Sequence, residues 1–298
     1  MESHERVVAV KMELAAITGT PVIYLRLVYK DRELMDDRSL KEEGLPYDAD
    51  IQLVRLAPPE VPSLLAIRED DPLLIPFLLD CGAEPDEVDE SGWTALHWAV
   101  QRGLAVVTKT LAKTPEVASR CLSAQDIGKM TALHYSAQSG QMATCCALAE
   151  RMEPSALNSR AANGNTVLHF AARGGYQAIC KELLKLPQLS VVNDQNAFGW
   201  TVLHYAAAGG LSELCDVLLS MPSFSAAALL TWNSETALHW AALNGHLDIC
   251  RQLLTSTDID IDAEDVEGIT AYENAFRSGH EEVCKLLAND EWANLREK

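Results

Sequence analysis

The sequence predicts a mainly α-helical solenoid of about seven stacked helix-turn-helix units with β-hairpin loops, preceded by a small, incomplete α+β segment. Three observations lead to this fold class. One short motif recurs along the chain at a nearly constant interval. Each copy is followed by apolar residues at helical spacing. Residues 6–56 lack this period and combine one helical pattern with strand-like alternation.

The amino-acid composition, and above all the net charge, excludes some classes of binding partner. The chain has 298 residues, and 24 Lys and Arg against 43 Asp and Glu give a net charge of −19. Nucleic acids and anionic lipid surfaces are bound mainly by clustered Lys and Arg, so we expect neither as a partner. No apolar run approaches the ~20 residues that span a bilayer, and the first residues lack a signal-peptide pattern. We therefore expect a soluble cytoplasmic protein without membrane insertion, the nucleus remaining open as a second compartment.

Acidic residues are unevenly distributed. Between Glu60 and Glu90 there are ten acidic residues and one base, Arg68, and a second acid-rich stretch runs from Asp258 to Glu291. Two interpretations stay open: solvated ends that keep the protein soluble, or a field that steers a basic partner.

The recurring motif reads Thr-Ala-Leu-His or Thr-Val-Leu-His, followed by an aromatic residue. Its threonines lie at positions 94, 131, 166, 201 and 236, and a sixth, degraded copy begins at Thr270, which gives intervals of 37, 35, 35, 35 and 34. In each unit the Thr can cap a helix of about two turns, a Gly ends that helix in most copies, and a second apolar helix follows. Isolated helices of this length are marginal in water, so the units must bury their apolar faces by stacking.

These motifs resemble the ankyrin repeat, in which Thr-Pro-Leu-His opens the first helix and Gly-His leads into the second. Residues 244–250, Asn-Gly-His-Leu-Asp-Ile-Cys, match that second element. The resemblance covers residues 62–298 and implies a solenoid that binds proteins. Ala or Val replaces the family's Pro in every copy, and the period is near 35 rather than about 33, so we expect longer links between units.

The two ends of the array depart from the motif. Residues 62–83 lack the signature but contain two short apolar helical patterns and a Gly exit, so we count them as an N-terminal unit. The last copy has Glu273 in place of His, which suits a solvent-facing cap.

The segment before the repeats reads as helix, strand, short turns and strand. Val7, Val10, Leu14 and Ile17 recur at helical spacing, and the Thr18-Gly19-Thr20-Pro21 sequence stops this helix. Residues 24–29 and 50–56 alternate as strands do. This alternation places Leu25, Leu27, Ile51 and Leu53 on the inner face.

Several phrases here, Arg26-Leu27-Val28-Tyr29, Arg32-Glu33-Leu34 and residues 51–56, resemble a ubiquitin-like (β-grasp) domain. The match begins at that family's helix, and its N-terminal hairpin has no counterpart. The segment is then incomplete, completed by a partner, or truncated. We set the boundaries at 1–56 for this partial domain, 57–62 for a Pro-rich linker and 63–298 for the ankyrin-repeat domain.

The ubiquitin-like resemblance implies a recognition patch on the outer face of the sheet, formed by Val28, Gln52 and Val54. Such a patch would dock on ubiquitin-pathway or proteasomal proteins. The alternative is that these are ordinary strand residues of a relic segment. Residues 57–62 continue without a Gly-Gly end, so we do not expect conjugation to other proteins.

Repeated Cys and His residues invite a metal or catalytic interpretation, which their positions disfavour. Five cysteines lie fourteen residues after their unit's Thr, and five histidines lie three residues after it: Cys145, Cys180, Cys215, Cys250 and Cys284; His97, His134, His169, His204 and His239. Zinc ligands must converge on one point, whereas these residues are spread along a stack. We therefore predict buried free thiols, structural histidines and neither a metal nor a cofactor. An enzyme or metal-binding protein that uses these rows remains the alternative.

Binding is expected on the concave face and on the hairpin tips of the solenoid. The residue before each Thr is taken as a tip position, which selects Trp93, Met130, Trp200 and Ile269. Phe198 and Trp232 join the same edge, and Arg102 and Arg173 lie at the ends of first helices. For Trp93 and Trp200, binding and structural roles are both open.

A second aromatic row consists of Trp98, Tyr135, Phe170, Tyr205 and Trp240. We predict that it packs between first helix and hairpin. Together these features favour a monomeric, non-enzymatic adaptor, with a plain ankyrin scaffold as the alternative.

Overall fold

A computed structural model describes residues 7–18, 25–29, 32–35, 42, 51–55, 63–64, 73–255 and 259–288. The chain divides into two compact units, residues 1–124 and 125–298. The described residues form sixteen α-helices and three short β-strands. The predicted linker, residues 57–62, lies outside the described residues.

The first unit begins with a helix and a small antiparallel sheet. Its elements are α1 (Val7–Thr18), β1 (Leu25–Tyr29), β2 (Arg32–Glu33) and β3 (Gln52–Arg55). Strand β1 lies between β2 and β3, and Leu27 pairs with Leu53. Val7 and Val10 of α1 are buried against Leu27 and Leu34, with Leu14, Ile51 and Leu53 packed around them. The predicted inner face of both strands is therefore confirmed.

Two details of this segment differ from the sequence prediction. Ile17 is exposed although it continues the apolar spacing of α1. Among the described residues, the apolar cluster on the sheet includes Val7, Val10 and Leu14 of this helix but not Ile17. The short strand β2, which follows the predicted turn, was not predicted.

The repeats are built from pairs of short helices. The first helices are α3 (Ala95–Gln101), α6 (Ala132–Gln138), α9 (Val167–Arg173), α11 (Val202–Ala208), α13 (Ala237–Leu243) and α15 (Ala271–Arg277). The second helices are α2 (Leu74–Asp80), α4 (Ala105–Lys113), α7 (Met142–Ala149), α10 (Gln177–Leu183), α12 (Ser212–Ser220), α14 (Leu247–Thr255) and α16 (Glu281–Ala288). In the second unit, first helices pack on first helices and second helices on second helices. Of the predicted N-terminal pair, the first helix falls almost entirely outside the described residues.

Additional helical turns explain the long period. Two helices, α5 (Pro115–Cys121) and α8 (Pro154–Leu157), and a 3-10 turn at Val191–Asn193 occupy the links after the second helices. The longest of them, α5, falls in the longest interval, 37 residues. Each of the two helices starts with a Pro, whose fixed φ favours the first helical position. These three links are therefore ordered and contribute buried residues such as Val117 and Leu157.

The repeated cysteines are part of the core. Cys145, Cys180, Cys215 and Cys250 are buried, Cys284 of the last repeat is half-buried, and all are free thiols. Burial raises the pKa of the Cys180 thiol to about 12. A thiol with this pKa is almost wholly protonated at neutral pH and is a poor nucleophile or metal ligand. The prediction of one structural position is confirmed.

Candidate functional site

In the second unit, the histidines of four first helices, α6, α9, α11 and α13, connect their helix to the following residues of the stack by hydrogen bonds. In the Thr201 and His204 pair, the Thr201 amide donates to His204 Nδ1 at 3.2 Å, and the Thr201 hydroxyl lies 2.8 Å from the same nitrogen. His204 Nε2 donates to the Glu235 carbonyl oxygen of the following repeat at 3.2 Å. His169 and His239 make the equivalent contacts, to the carbonyl oxygens of Trp200 and Ile269. His134 makes the same bond to its Thr, but its Nε2 donates to the Ser159 carbonyl oxygen in the link before the next turn.

Both ring nitrogens of these histidines are used by the fold. Burial lowers the pKa of His169 and of His204 to about 4, so both rings are neutral at physiological pH. The predicted structural role of the row is confirmed. Among the described residues, no three His, Cys, Asp or Glu side chains are grouped so that they could hold a metal ion.

A tight turn precedes each Thr and forms the tip of the repeat. In the turn that starts at Asn196, the Gly199 amide donates to the Asn196 carbonyl oxygen, and the Asn196 amide donates to the Trp200 carbonyl oxygen. Gly199 has a φ of 77°, a left-handed conformation that Gly adopts without strain. Lys129 and Ser234 hold the same position with φ of 55° and 59°.

An acidic or amide side chain five residues before the Thr closes most of these turns. Asn196 Oδ1 accepts from the amides of Phe198 and Trp200 at 2.9 and 3.0 Å. Asp89, Asp126 and Asp265 make equivalent bonds to the amide four residues later. Sequence reasoning missed these residues. Their recurrence at a fixed distance from the Thr is the signal that could have revealed them.

The same side chains hold the second aromatic row. Trp98 Nε1 donates to Asp89 at 2.8 Å, and the Tyr135 hydroxyl donates to Asp126 at 2.6 Å. In the repeat of Thr166, the residue five positions before the Thr is Ala161, which cannot accept a hydrogen bond through its side chain. The aromatic residue of that repeat is Phe170, whose side chain has no polar atom that needs a partner. Among the described residues Trp240 Nε1 has no hydrogen-bond partner. The bonds of Trp98 and Tyr135 to the turn carboxylates place these side chains between first helix and hairpin, as predicted.

Successive tips of the second unit are joined through their backbones. The amides of Ala162, Ala197, Trp232 and Val266 donate to carbonyl oxygens of the preceding tip at 2.8–3.1 Å. These four residues and Ile127 occupy the same place in their turns, directly after the turn's first residue. The hydrogen bonds hold the tips in a fixed order, so their side chains form one row.

Large apolar side chains on this row are exposed to solvent. We call the row the tip surface; it comprises Ile127, Ala162, Ala197, Phe198, Leu230, Trp232 and Val266. Ile127 is 77% exposed, Trp232 73%, Val266 65% and Phe198 56%. The Phe198 and Trp232 rings contact each other edge-on, with centroids 5.9 Å apart. Burial of exposed apolar and aromatic area is a main driving force of protein association, which makes this surface the candidate site.

The predicted tip positions need correction. The residue before the Thr lies at the base of the turn, and the carbonyl oxygens of Trp200, Glu235 and Ile269 each accept a hydrogen bond from the His of the preceding repeat. Ile269 is accordingly buried, so its expected exposure was wrong. Trp93, Met130 and Trp200 are half-buried. Trp200 packs against Tyr205 and Trp240, with ring centroids 4.7 and 4.6 Å apart.

The other predicted positions are exposed where they are described. Phe198 and Trp232 lie on the tip surface. Arg102 and Arg173 are exposed at the ends of α3 and α9, and the Arg102 guanidinium lies 4.8 Å from the Trp98 ring centroid. Gln52 and Val54 are exposed on β3, whereas the side chain of Val28 lies outside the described residues. Ile127 and Val266 belong to the surface but were not predicted.

Comparison with known proteins identifies the family. The family model for ankyrin repeats matches in three copies, over residues 64–158, 152–228 and 225–297. No curated protein matches the chain. None of the helices in the described ranges has the length and apolar content needed to cross a bilayer. Because the matched residues span most of its length, the chain belongs to the ankyrin-repeat family.

Proposed function

We propose that the protein is a non-enzymatic scaffold that holds a protein partner along the tip surface. Ankyrin-repeat proteins are generally interaction scaffolds without catalytic activity. The observation that carries the proposal is the exposed ring pair of Phe198 and Trp232. Aromatic side chains supply much of the binding free energy at protein interfaces, and Trp is the residue most enriched among hot spots.

The first test removes one ring of the pair. We expect Trp232→Ala and Phe198→Ala each to weaken partner binding by at least about 2 kcal/mol, roughly a thirtyfold loss of affinity. Both side chains are mostly exposed, so the free energy of unfolding should change by no more than about 1 kcal/mol. The measurement is quantitative affinity capture with the full chain as bait, comparing the proteins retained by each variant.

Phe276→Ala provides the matched control. Phe276 is 68% exposed on α15 and stacks on Tyr272, so it resembles Phe198 in type and exposure but lies outside the tip surface. Retention of the same partners by the Phe276→Ala variant and their loss from the Trp232→Ala variant is the expected pattern. Equal retention by all variants would contradict the proposal.

We further propose that residues 1–56 act as a partial ubiquitin-like module that couples the scaffold to the ubiquitin–proteasome machinery. Helix α1 packs on the antiparallel sheet in the predicted order, which supports the module. Exposure of Gln52 and Val54 on one strand supports a docking face. A plain scaffold with a relic N-terminal segment is the alternative. All eight cysteines are free thiols, which favours a reducing compartment, the cytoplasm or the nucleus. We propose that the protein acts there as a monomer.

Binding to a purified proteasomal ubiquitin receptor tests the module. We expect the full chain to bind and Val54→Asp to weaken binding at least about tenfold, because a charge replaces an apolar contact. Met12→Asp, on the exposed face of α1, is the control and should bind as the wild type does. Absence of binding by the wild type would favour the relic interpretation.

A further inference from the structure

The spacing of the tip surface suggests the conformation of what binds there. Each repeat contributes one side chain at the equivalent place: Ile127, Ala162, Ala197, Trp232 and Val266. Neighbouring repeats are separated by the packing distance of their helices, about 8–10 Å. A polyproline II helix has three residues per turn and a rise of about 3.1 Å per residue, so it presents the same face about every 9 Å. A peptide in this conformation matches the row turn by turn.

The chemistry of the surface fits the same ligand. Proline-rich segments dock on exposed aromatic surfaces because proline rings pack flat on aromatic side chains. The backbone of such a segment is already extended, so it loses little entropy on binding. Phe198 and Trp232 come from adjacent repeats, and their edge-on contact leaves both side chains more than half exposed. Leu230 and Val266 are also exposed and add apolar area to the tip surface.

The charge around the tip surface determines which proline-rich segments can bind to it. From residue 186 to residue 270 the sequence contains eleven acidic residues and a single Lys or Arg, Arg251. Around the tips themselves lie Glu235, Glu264, Asp265 and Glu267. Arg251 lies away from them, in a groove with Asp216 on the second helices. Lys129 and Arg160 lie near the first two tips, and Arg160 and Lys181 pair with two of the eleven acids, Asp194 and Glu213. The negative field is therefore concentrated around the tips of Trp232 and Val266, where it attracts a cationic segment and repels an anionic one.

From these three observations we propose that the tip surface binds a basic, proline-rich segment of its partner in the polyproline II conformation. The proposal rests on the proposed function and specifies the partner's chemistry. Trp232, which holds a row position, and Phe198, whose ring packs edge-on against it, form one aromatic platform for the prolines. The acidic residues at the neighbouring tips pair with flanking Arg or Lys residues of the ligand.

The test uses a fluorescein-labelled polyproline peptide about three turns long with a pair of arginines at each end. Its binding to the full chain is measured by fluorescence anisotropy. A second peptide keeps the arginines but replaces the prolines with Gly and Ser, and a third keeps the prolines but replaces the arginines with Glu. We expect the first peptide to bind at least about tenfold more tightly than either control. Trp232→Ala should remove most of this difference, whereas Phe276→Ala should leave it intact.

The outcomes separate this proposal from the proposed function. If the Gly/Ser peptide binds as well as the proline peptide, charge alone is responsible and the polyproline inference is wrong. If no peptide binds but Trp232→Ala still abolishes capture of protein partners, the scaffold function stands and the inference falls. If Trp232→Ala changes neither capture nor peptide binding, both are wrong.

Discussion

Replacing His204 with Ala is expected to lower the free energy of unfolding by about 3–4 kcal/mol. The side chain is buried, and its two ring nitrogens bond the Thr201 amide and the Glu235 carbonyl oxygen. Its removal leaves both backbone groups without a partner in the core, each at a cost of about 1–3 kcal/mol, and adds a cavity. Because the Glu235 bond joins two repeats, the loss falls on an interface that holds the stack together.

Urea unfolding followed by circular dichroism provides the measurement, since the midpoint reports the loss directly. His246→Ala is the control. His246 is half-buried and makes one bond, to the Ala208 carbonyl oxygen at 3.3 Å, so its loss should cost about 1 kcal/mol. A His204→Ala variant no less stable than His246→Ala would contradict the structural role of the row.

Acidification from pH 6.5 to pH 4 is expected to remove about 5 kcal/mol of stability through His169 and His204 together. Burial is the main cause of their low pKa, about 4 in the folded protein against 6.5 for an exposed His. The unfolded chain therefore binds more protons than the folded one in this window, and stability falls as pH falls. A difference of 2.5 pKa units at 1.36 kcal/mol per unit makes the full effect of each group about 3.4 kcal/mol, of which about 2.6 kcal/mol falls between pH 6.5 and pH 4.

The 43 acidic residues also contribute to the pH dependence of the free energy of unfolding, and a single variant separates the histidine contribution from theirs. In the last repeat Glu273 replaces His, and its carboxylate accepts from the Thr270 amide at 3.1 Å, so a non-aromatic acceptor can fill this position. His204→Gln should keep an acceptor and remove one titrating ring. Urea unfolding at pH 7 and pH 4.5 should then show a pH-dependent loss that is smaller than that of the wild type by about 2 kcal/mol. An unchanged loss would contradict the assignment.

The repeats could be predicted well because their local physics repeats. Thr166 and His169, for example, lie three residues apart in a pattern that recurs five times, so one capping arrangement explains every copy. Cys180 likewise recurs at a fixed place in the second helix and is buried there. In a periodic stack, each unit supplies the neighbour that buries the next, so the local pattern also fixes the long-range contact.

The exposed residues of the tips are harder to predict from the sequence, because tertiary contacts determine which residue of the turn is exposed. Trp200 and Phe198 are two residues apart, and nothing in their types shows that Trp200 packs on Tyr205 while Phe198 is exposed. The Asn196 side chain fixes the turn and so determines this difference. Similarly, the exposure of Ile17 depends on how much sheet lies against α1, which helical spacing alone does not encode.

Site-specific photo-crosslinking tests the central claim, that the tip surface is where the protein holds its partner. A photoreactive benzoylphenylalanine is placed at position 232 or, as control, at position 276 of the full chain. Both native residues are exposed and aromatic. We expect a discrete crosslinked partner from position 232 and none from position 276. Crosslinking only from position 276, or equally from both, would contradict the account.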